Sequence, residues 1–323
     1  MQPSATPLVR LAGVSKKLGN NVYAKLESAN PTGSHKDRES MAMIRDMLSK
    51  KAKEAVIAST GNAAISLSAL APCEGIIVDV FASNEVSQER LNLISAFAPR
   101  LHIVKGDYDY AVHQSEVFAK SMGVYNANPG HNRYKPLGDS EIGFELVQQL
   151  GNKIPDYIVV PTNNGTLLSG VWMGVKANGP KMVAAVSKKS ELMGSIAGYH
   201  RFDGRRLARA ISESAGEVID VNDEEVAKAI VELRFDGVFC EPAAAASLAA
   251  LEELGVNDKT VVLLITGSAF KFLESYVGAT RFLRGRSKSN GPGRISVQDT
   301  VQLSSSQAAK KVRSVGSQVS TSA

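Results

Sequence analysis

Short apolar runs rich in Val and Ile recur along this chain, each followed by a helical pattern, and this alternation constrains the fold more than any other feature. The strand-like runs are EAVIAS (54–59), IIVDVFAS (76–83), RLHIVKG (100–106), DYIVVP (156–161), KMVAAVS (181–187) and TVVLLIT (260–266). Between and around them lie helical stretches such as NAAISLSALA, SQERLNLISAFA with Ser87 as N-cap, DYAVHQSEVFAKSMG, GDSEIGFELVQQLG, TLLSGVWMGVKANG, DEEVAKAIVELR and PAAAASLAALEELG. The strands are short and continuously apolar, which is the pattern of parallel strands covered on both faces. Repeated strand–helix alternation predicts an α/β architecture with right-handed crossovers. No internal repeat is present.

Composition narrows the class. Hydrophobic residues make up 44% of the 323 positions and charged residues 21%, which suits a globular chain with a sizeable core rather than a disordered one. The two cysteines, Cys73 and Cys240, have no CxxC spacing, so they are read as two buried thiols in a reducing compartment. The five histidines show no metal-ligand spacing, and no metal site is expected. The N-terminal segment lacks a basic region followed by an apolar run, and no apolar window reaches the roughly 18 residues of a membrane span, so a cytoplasmic protein is expected. The net charge of +5 is concentrated at the end: from Arg286 onward there are six basic residues and one acid, Asp299, so the tail alone carries +5. The basic character is therefore not that of a nucleic-acid-binding face. Residues 285–323 are Ser-rich and poor in apolar groups, and are expected to be disordered.

In open α/β sheets, ligands bind beyond the carboxyl ends of the strands. Three turns there are rich in small polar residues: ASTGNAA (58–64), VPTNNGTLLSG (160–170) and LITGSAF (264–270). The first two open helices, whose free N–H groups are natural anion sites. Three such turns suggest a ligand with several anionic groups. A fourth segment, NPTGS (30–34), is a turn that leads into a helix beginning HKDRESMAMIRDML, with Met41, Ile44 and Leu48 at core spacing. Lys36 falls in the first turn of that helix. The helix dipole disfavours a cation there and would lower the amine's pKa, which suits a lysine that bonds covalently to a carbonyl.

Several segments, in order, resemble fold-type II pyridoxal-phosphate (PLP) enzymes, the tryptophan synthase β-like family that includes threonine synthase, cysteine synthase and threonine dehydratase. KLESANPTGSHKDR (25–38) resembles that family's lysine motif, ASTGNAA its S-[ST]-GN loop, GDYDYA (106–111) the GDFDDA of threonine synthases, and CEPAAAASLAAL (240–251) their EPAGAASLAAL. TPLVRL (6–11) and LITGS fit as well, so the resemblance runs from residue 6 to about 280. It implies a two-domain, three-layer parallel-sheet fold: a large PLP-binding domain of residues 1–39 plus 131–284, a small α/β domain of 40–130, and the tail 285–323. It also implies a homodimer.

The resemblance assigns roles residue by residue. Lys36 would form the Schiff base with the cofactor and carry the substrate α-proton. Asn62 would hydrogen-bond the cofactor's phenolic oxygen, and Ser59 and Thr60 would hold the substrate carboxylate. Thr266 would face the pyridine nitrogen. Glu241 opens a helix and would contact the substrate. Lys135 falls where threonine synthases carry an arginine near the substrate phosphate. The phosphate loop departs from the family pattern. An ungapped match places NNGTL (163–167) there, with Asn163, Asn164, Gly165 and Thr166 as cofactor contacts; only Gly165 keeps its glycine, and Leu167 lacks a polar side chain. Phosphate binding is expected to be weaker or differently built. His35 stands where the family has an aromatic or aliphatic residue, as a core-facing substitution or a titrating group in the pocket.

Threonine synthase-like and cysteine synthase-like stretches coexist, so three readings stay open. The first is a lyase making L-threonine from O-phospho-L-homoserine. The second is a sulfhydrylase making cysteine from O-phosphoserine or O-acetylserine. The third is a degenerate, non-catalytic member, with threonine dehydratase as a further variant. In each of the enzyme readings the partner is a small amino-acid substrate, phosphorylated in the first; no nucleic acid or membrane is expected.

Overall fold

The β-branched runs become strands stacked side by side in two sheets in the computed structural model, which describes residues 5–130, 132–176, 179–198 and 202–286. The chain begins with β1 (Leu8–Arg10), α1 (Ala12–Leu18) and β2 (Asn21–Leu26), then a 3-10 turn and α2 (Lys36–Ser49). Next come β3 (Glu54–Ala58), α3 (Asn62–Leu70), β4 (Ile77–Ser83), α4 (Gln88–Ser95), β5 (Arg100–Val104), α5 (Tyr108–Met122) and β6 (Tyr125–Asn126). The rest is α6 (Tyr134–Gln149), β7 (Tyr157–Pro161), α7 (Thr166–Val175), β8 (Lys181–Val186), α8 (Gly204–Glu213), β9 (Glu217–Asp220), α9 (Asp223–Phe235), α10 (Pro242–Leu254), β10 (Thr260–Ile265) and α11 (Leu273–Arg286).

The larger sheet has six strands in the order β1-β2-β10-β7-β8-β9, and the smaller has four in the order β5-β4-β3-β6. Among the described strands only the β1–β2 pair is antiparallel; β10 pairs in parallel with both β2 and β7, with Val261 opposite Val22 on one side and Tyr157 on the other. The central strands β7 and β10 are buried on both faces, as their continuous apolar sequence demands. Helix α10 explains its own composition: Pro242 to Leu251 are all buried, and a run of alanines lets a helix lie close on the sheet. Helices α2, α6 and α7 form a second packed layer. Gly138 makes the α2–α6 contact possible, because a Cβ there would stand 2.3 Å from the Arg38 carbonyl oxygen.

Several sequence expectations are corrected. Met41 and Ile44 are buried, but Leu48 is 43% exposed; α2 instead buries Met43 and Met47, because it is covered on more than one face. Cys240 is buried but Cys73 is exposed. Helix α8 runs through a basic stretch, Gly204–Glu213, and buries Leu207 and Ala210. Ser87 precedes α4 with extended backbone, yet its side chain makes no capping bond; Asp107 does cap α5, accepting from the Tyr110 N–H at 2.9 Å. Helix α11 runs to Arg286, into the segment read as tail, and 287–323 lie outside the described residues. No described helix is long and apolar enough to cross a membrane.

Candidate active site

The lysine turn is held from three sides. The His35 N–H donates to the Thr266 carbonyl at 3.0 Å, and the Ser268 N–H donates to the Gly33 carbonyl at 3.0 Å, so the turn is tied to the end of β10. Asp37 reaches back to accept from the Thr32 N–H at 2.6 Å and the Thr32 hydroxyl at 2.5 Å. Arg38, fully buried, donates to Glu27 at 2.7 and 3.0 Å, to Glu145 at 2.6 and 2.8 Å, and to the Thr6 hydroxyl at 3.2 Å. Lys25 joins Glu145 at 2.5 Å. Asp37 and Arg38 are thus the anchors that fix the start of α2, and with it Lys36.

Lys36 stands at the edge of a buried cluster of charge. Its ammonium donates to Glu39 Oε1, one turn further along α2, and its side chain is 24% exposed. The other oxygen of Glu39 faces the Lys135 ammonium, 3.2 Å away on α6, and Lys135 also donates to the Ala127 carbonyl at 3.0 Å. Asp139, one turn beyond Lys135, lies 3.3 Å from His35 Nδ1. Burial, reinforced by the Lys36 charge, pushes His35 down to about 3, so it is neutral near pH 7. Burial raises the Asp139 carboxyl and the neighbouring Glu39 charge raises it further. Burial also pushes Glu39 upward, but Lys36 and then Lys135 outweigh it and hold Glu39 ionised. For Lys36, burial lowers the amine, yet Glu39 and Asp139 bring the balance to the raised side. The lowering expected from the helix dipole is therefore overturned. Burial keeps Lys135 on the lowered side in spite of Glu39. His35, Glu39 and Asp139 bring three possible metal-ligand atoms within 4.8 Å of one another, but each Glu39 oxygen already faces an ammonium. The cluster is arranged for protons.

In front of Lys36 lies a cavity of about 250 Å³. Every residue singled out from the sequence lines it: Lys36, Ser59, Thr60, Asn62, Lys135, Asn163, Asn164, Gly165, Thr166, Glu241 and Thr266. Helices α3 and α7 begin at its wall. Asn62 is held between two groups, donating to Glu241 at 3.1 and 3.2 Å while Lys271 donates to its Oδ1 at 2.6 Å. Thr166, 3% exposed, gives its hydroxyl to Asp203 at 2.5 Å, so that hydroxyl is already engaged within the chain. Glu39, Asp139, Asp203 and Lys271 were missed by the sequence reading, as was Arg90. Arg90 lines the cavity, its Nη1 lies 2.9 Å from where a Cβ on Gly61 would stand, and its guanidinium stacks on Phe272 at 4.3 Å. Among the described residues it has no carboxylate partner.

This arrangement defines an enzyme that uses a carbonyl cofactor carrying a phosphate. The residues fit such a group. Lys36 offers an amine to the cavity. Gly165 sits at φ +90°, with no room for a Cβ, which would be 2.8 Å from the Leu207 Cβ, so the loop must keep its glycine at the start of α7. Among the described residues the buried Oδ1 atoms of Asn163 and Asn164 find no hydrogen-bond partner, so these oxygens retain capacity to accept from a ligand's N–H or O–H. Comparison with known proteins agrees. Residues 1–267 match the pyridoxal-phosphate dependent enzyme family, and the chain belongs to that family. It is similar to the threonine synthase of Methanocaldococcus jannaschii, 29% identical over 85% of this chain and 77% of that protein, and to the threonine synthase of a Bacillus species (strain ULM1), 31% identical over 82% and 83%. Among solved structures it shares its fold with O-ureido-L-serine synthase (TM-score 0.75, 22% identity, 92% and 96% coverage). It also shares it with threonine deaminase isoform 2 of Solanum lycopersicum (TM-score 0.72, 17% identity, 87% and 84% coverage). The protein is a PLP-dependent enzyme of the fold-type II architecture.

Proposed function

We propose that the protein is a threonine synthase-like lyase that converts O-phospho-L-homoserine and water into L-threonine and phosphate, acting in the cytoplasm as a homodimer. The observation that carries the substrate class is Arg90, a half-buried cation that lines the cavity beside the 59–62 loop without a carboxylate partner among the described residues. A pocket built for a neutral amino acid has no use for a cation beyond those that hold the cofactor and the α-carboxylate. The names of the curated relatives point the same way. Lys36 and the loop at the start of α7 would hold PLP, which when bound would supply the electron sink that acidifies the substrate's carbon–hydrogen bonds. The chain supplies orientation and proton transfer. Ser59 and Thr60 hold the α-carboxylate, Lys36 Nζ moves the α-proton, and Arg90 receives the phosphate. Lys135, placed by the resemblance near that phosphate, has its charge set against Glu39 instead, which leaves the phosphate to Arg90.

The test is direct. Purified protein with PLP is given O-phospho-L-homoserine, and inorganic phosphate and threonine are both measured, with Lys36→Ala as control. Equal amounts of the two products, absent in the control, are expected. No phosphate release, together with sulfide-dependent cysteine formation from O-phosphoserine or O-acetylserine, would overturn the assignment.

A further inference from the structure

Asn62 opens α3 at the wall of the cavity, and what it offers a ligand depends on which way its amide is turned. The oxygen and nitrogen of an amide differ little in shape, so the groups around it decide. Here they are an ammonium and a carboxylate. Lys271 Nζ donates to Asn62 Oδ1 at 2.6 Å, and Asn62 Nδ2 donates to the two oxygens of Glu241 at 3.1 and 3.2 Å. An ammonium only donates and a carboxylate only accepts, so a single orientation satisfies both. Turned over, the amide would set oxygen against oxygen and N–H against N–H.

Two glycines admit the pair. A Cβ on Gly267 would stand 2.4 Å from Glu241 Oε1, so the carboxylate lies where a side chain would otherwise be. The stem of Lys271 crosses the lysine turn, its Cδ and Cε each 3.4 Å from where a Cβ on Gly33 would stand, and Gly33 has φ +78°. Lys271 lies in the turn between β10 and α11, behind the cavity wall that Asn62 and Glu241 form. Among the described residues no ion pair joins it to a carboxylate, and its side-chain hydrogen bond goes to Asn62. Half-burying a cation against one amide oxygen costs free energy, and what it secures is the position of that oxygen.

We propose that Lys271 is a positioning residue for the cofactor: it holds the Asn62 amide by its oxygen, which keeps the Asn62 N–H groups on the side of Glu241 and the cavity. The resemblance gives Asn62 a cofactor oxygen as partner. An N–H suits that oxygen, and a carbonyl in its place would repel it. The contact with Lys271 is the shorter of the two and fixes the oxygen end. The looser contacts with Glu241 leave the N–H groups free to be shared with a ligand. The role concerns the cofactor and holds for any substrate, so its failure would leave the O-phospho-L-homoserine assignment standing.

The test is a double-mutant cycle read as the dissociation constant for PLP, with no substrate present. Full-length protein freed of PLP is titrated with PLP, and the visible absorption band is followed in the unsubstituted protein, in Lys271→Met, in Asn62→Ala and in the variant carrying both. Each single change should weaken PLP binding about tenfold, the loss of one charge-assisted hydrogen bond. With Asn62 already alanine, Lys271→Met should change the constant by no more than about twofold, because the group it acts through is gone. A charge acting through space on the cofactor, or a general loosening of the fold, would instead give the same factor in both backgrounds. A larger factor in the Asn62→Ala background, or no change in the parent background, therefore overturns the proposal. Should Lys271→Met fail to fold, a crystal structure of the unsubstituted protein with PLP decides. Lys271 Nζ on one side of the Asn62 amide and the cofactor on the other is expected, and Lys271 out of hydrogen-bond reach of Asn62 refutes the proposal.

Discussion

Replacing Gly138 with alanine tests how the charged cluster is assembled. A Cβ at this position would stand 2.3 Å from the Arg38 carbonyl oxygen, 2.6 Å from its carbonyl carbon and 3.0 Å from the Glu39 Cα. All three are backbone atoms of α2, so no side-chain rotation relieves the overlap. Ordinary van der Waals contact begins near 3.4 Å, which requires α2 and α6 to part by about 1 Å in a well-packed interior. Overpacking of this kind costs about 1–3 kcal/mol. A chain of this size loses roughly 2–4 °C of melting temperature per kcal/mol, so a drop of about 2–12 °C is expected. Parting the helices also stretches the 3.2 Å contact of Lys135 with Glu39. Thermal unfolding followed by circular dichroism gives the measurement, with Gly278→Ala on α11 as control, because a Cβ there meets nothing within 4 Å. A melting temperature for Gly138→Ala equal to that of the control would refute the claim that backbone contact sets the α2–α6 spacing.

Arg38→Met leaves Glu27 and Glu145 with too few buried cations and is expected to cost about 3–5 kcal/mol, read as a lowered urea midpoint; an unchanged midpoint would show that the buried network contributes nothing. Arg90→Gln removes a charged hydrogen-bond donor worth about 1.5–3 kcal/mol, discounted to the lower end because Arg90 is only half buried. KM for the phosphorylated substrate should therefore rise about tenfold or more, with kcat little changed; an equal loss for amino acids with neutral side chains would place Arg90 at the α-carboxylate instead. His35 is held at about 3 in the folded chain against 6.5 when free, so its contribution to stability is present above pH 6.5 and is lost as pH falls toward 3. Asp139 runs the other way: its raised carboxyl favours folding at low pH and that contribution fades as pH rises. Comparing urea midpoints at about pH 7 and about pH 5 in the parent and in His35→Asn isolates the histidine, whose removal should lessen the acid loss by about 2 kcal/mol; identical losses in both proteins would contradict a buried neutral His35.

The parts of the site that could be read in the sequence are those whose chemistry is local. A strand, a small polar turn and a helix start within ten residues of one another, so ASTGNAA and VPTNNGTLLSG could be placed at the cavity wall before any tertiary contact was known. The edge strands β1 and β9 were less legible, since three or four partly or fully exposed residues carry no continuous apolar run. The charge state of Lys36 was legible only in appearance. A helix dipole at an exposed terminus changes a charge by about 0.3–1 kcal/mol. An opposite charge about 4 Å away is worth roughly 4 kcal/mol at the effective dielectric of a protein surface. The nearer carboxylate must win, and Glu39 lies only three positions along the chain. What hid it was the other end of the problem. Whether Glu39 points at Lys36 or at solvent depends on Lys135 and Asp139, about a hundred residues away, and they come within reach because Gly138 lets α6 lie against the backbone of α2. An acidic residue in a helix that otherwise reads Met-Ala-Met-Ile is the one local signal of this. A carboxylate among buried methionines needs a cation, and the cation four positions before or after it in sequence is seldom its only partner.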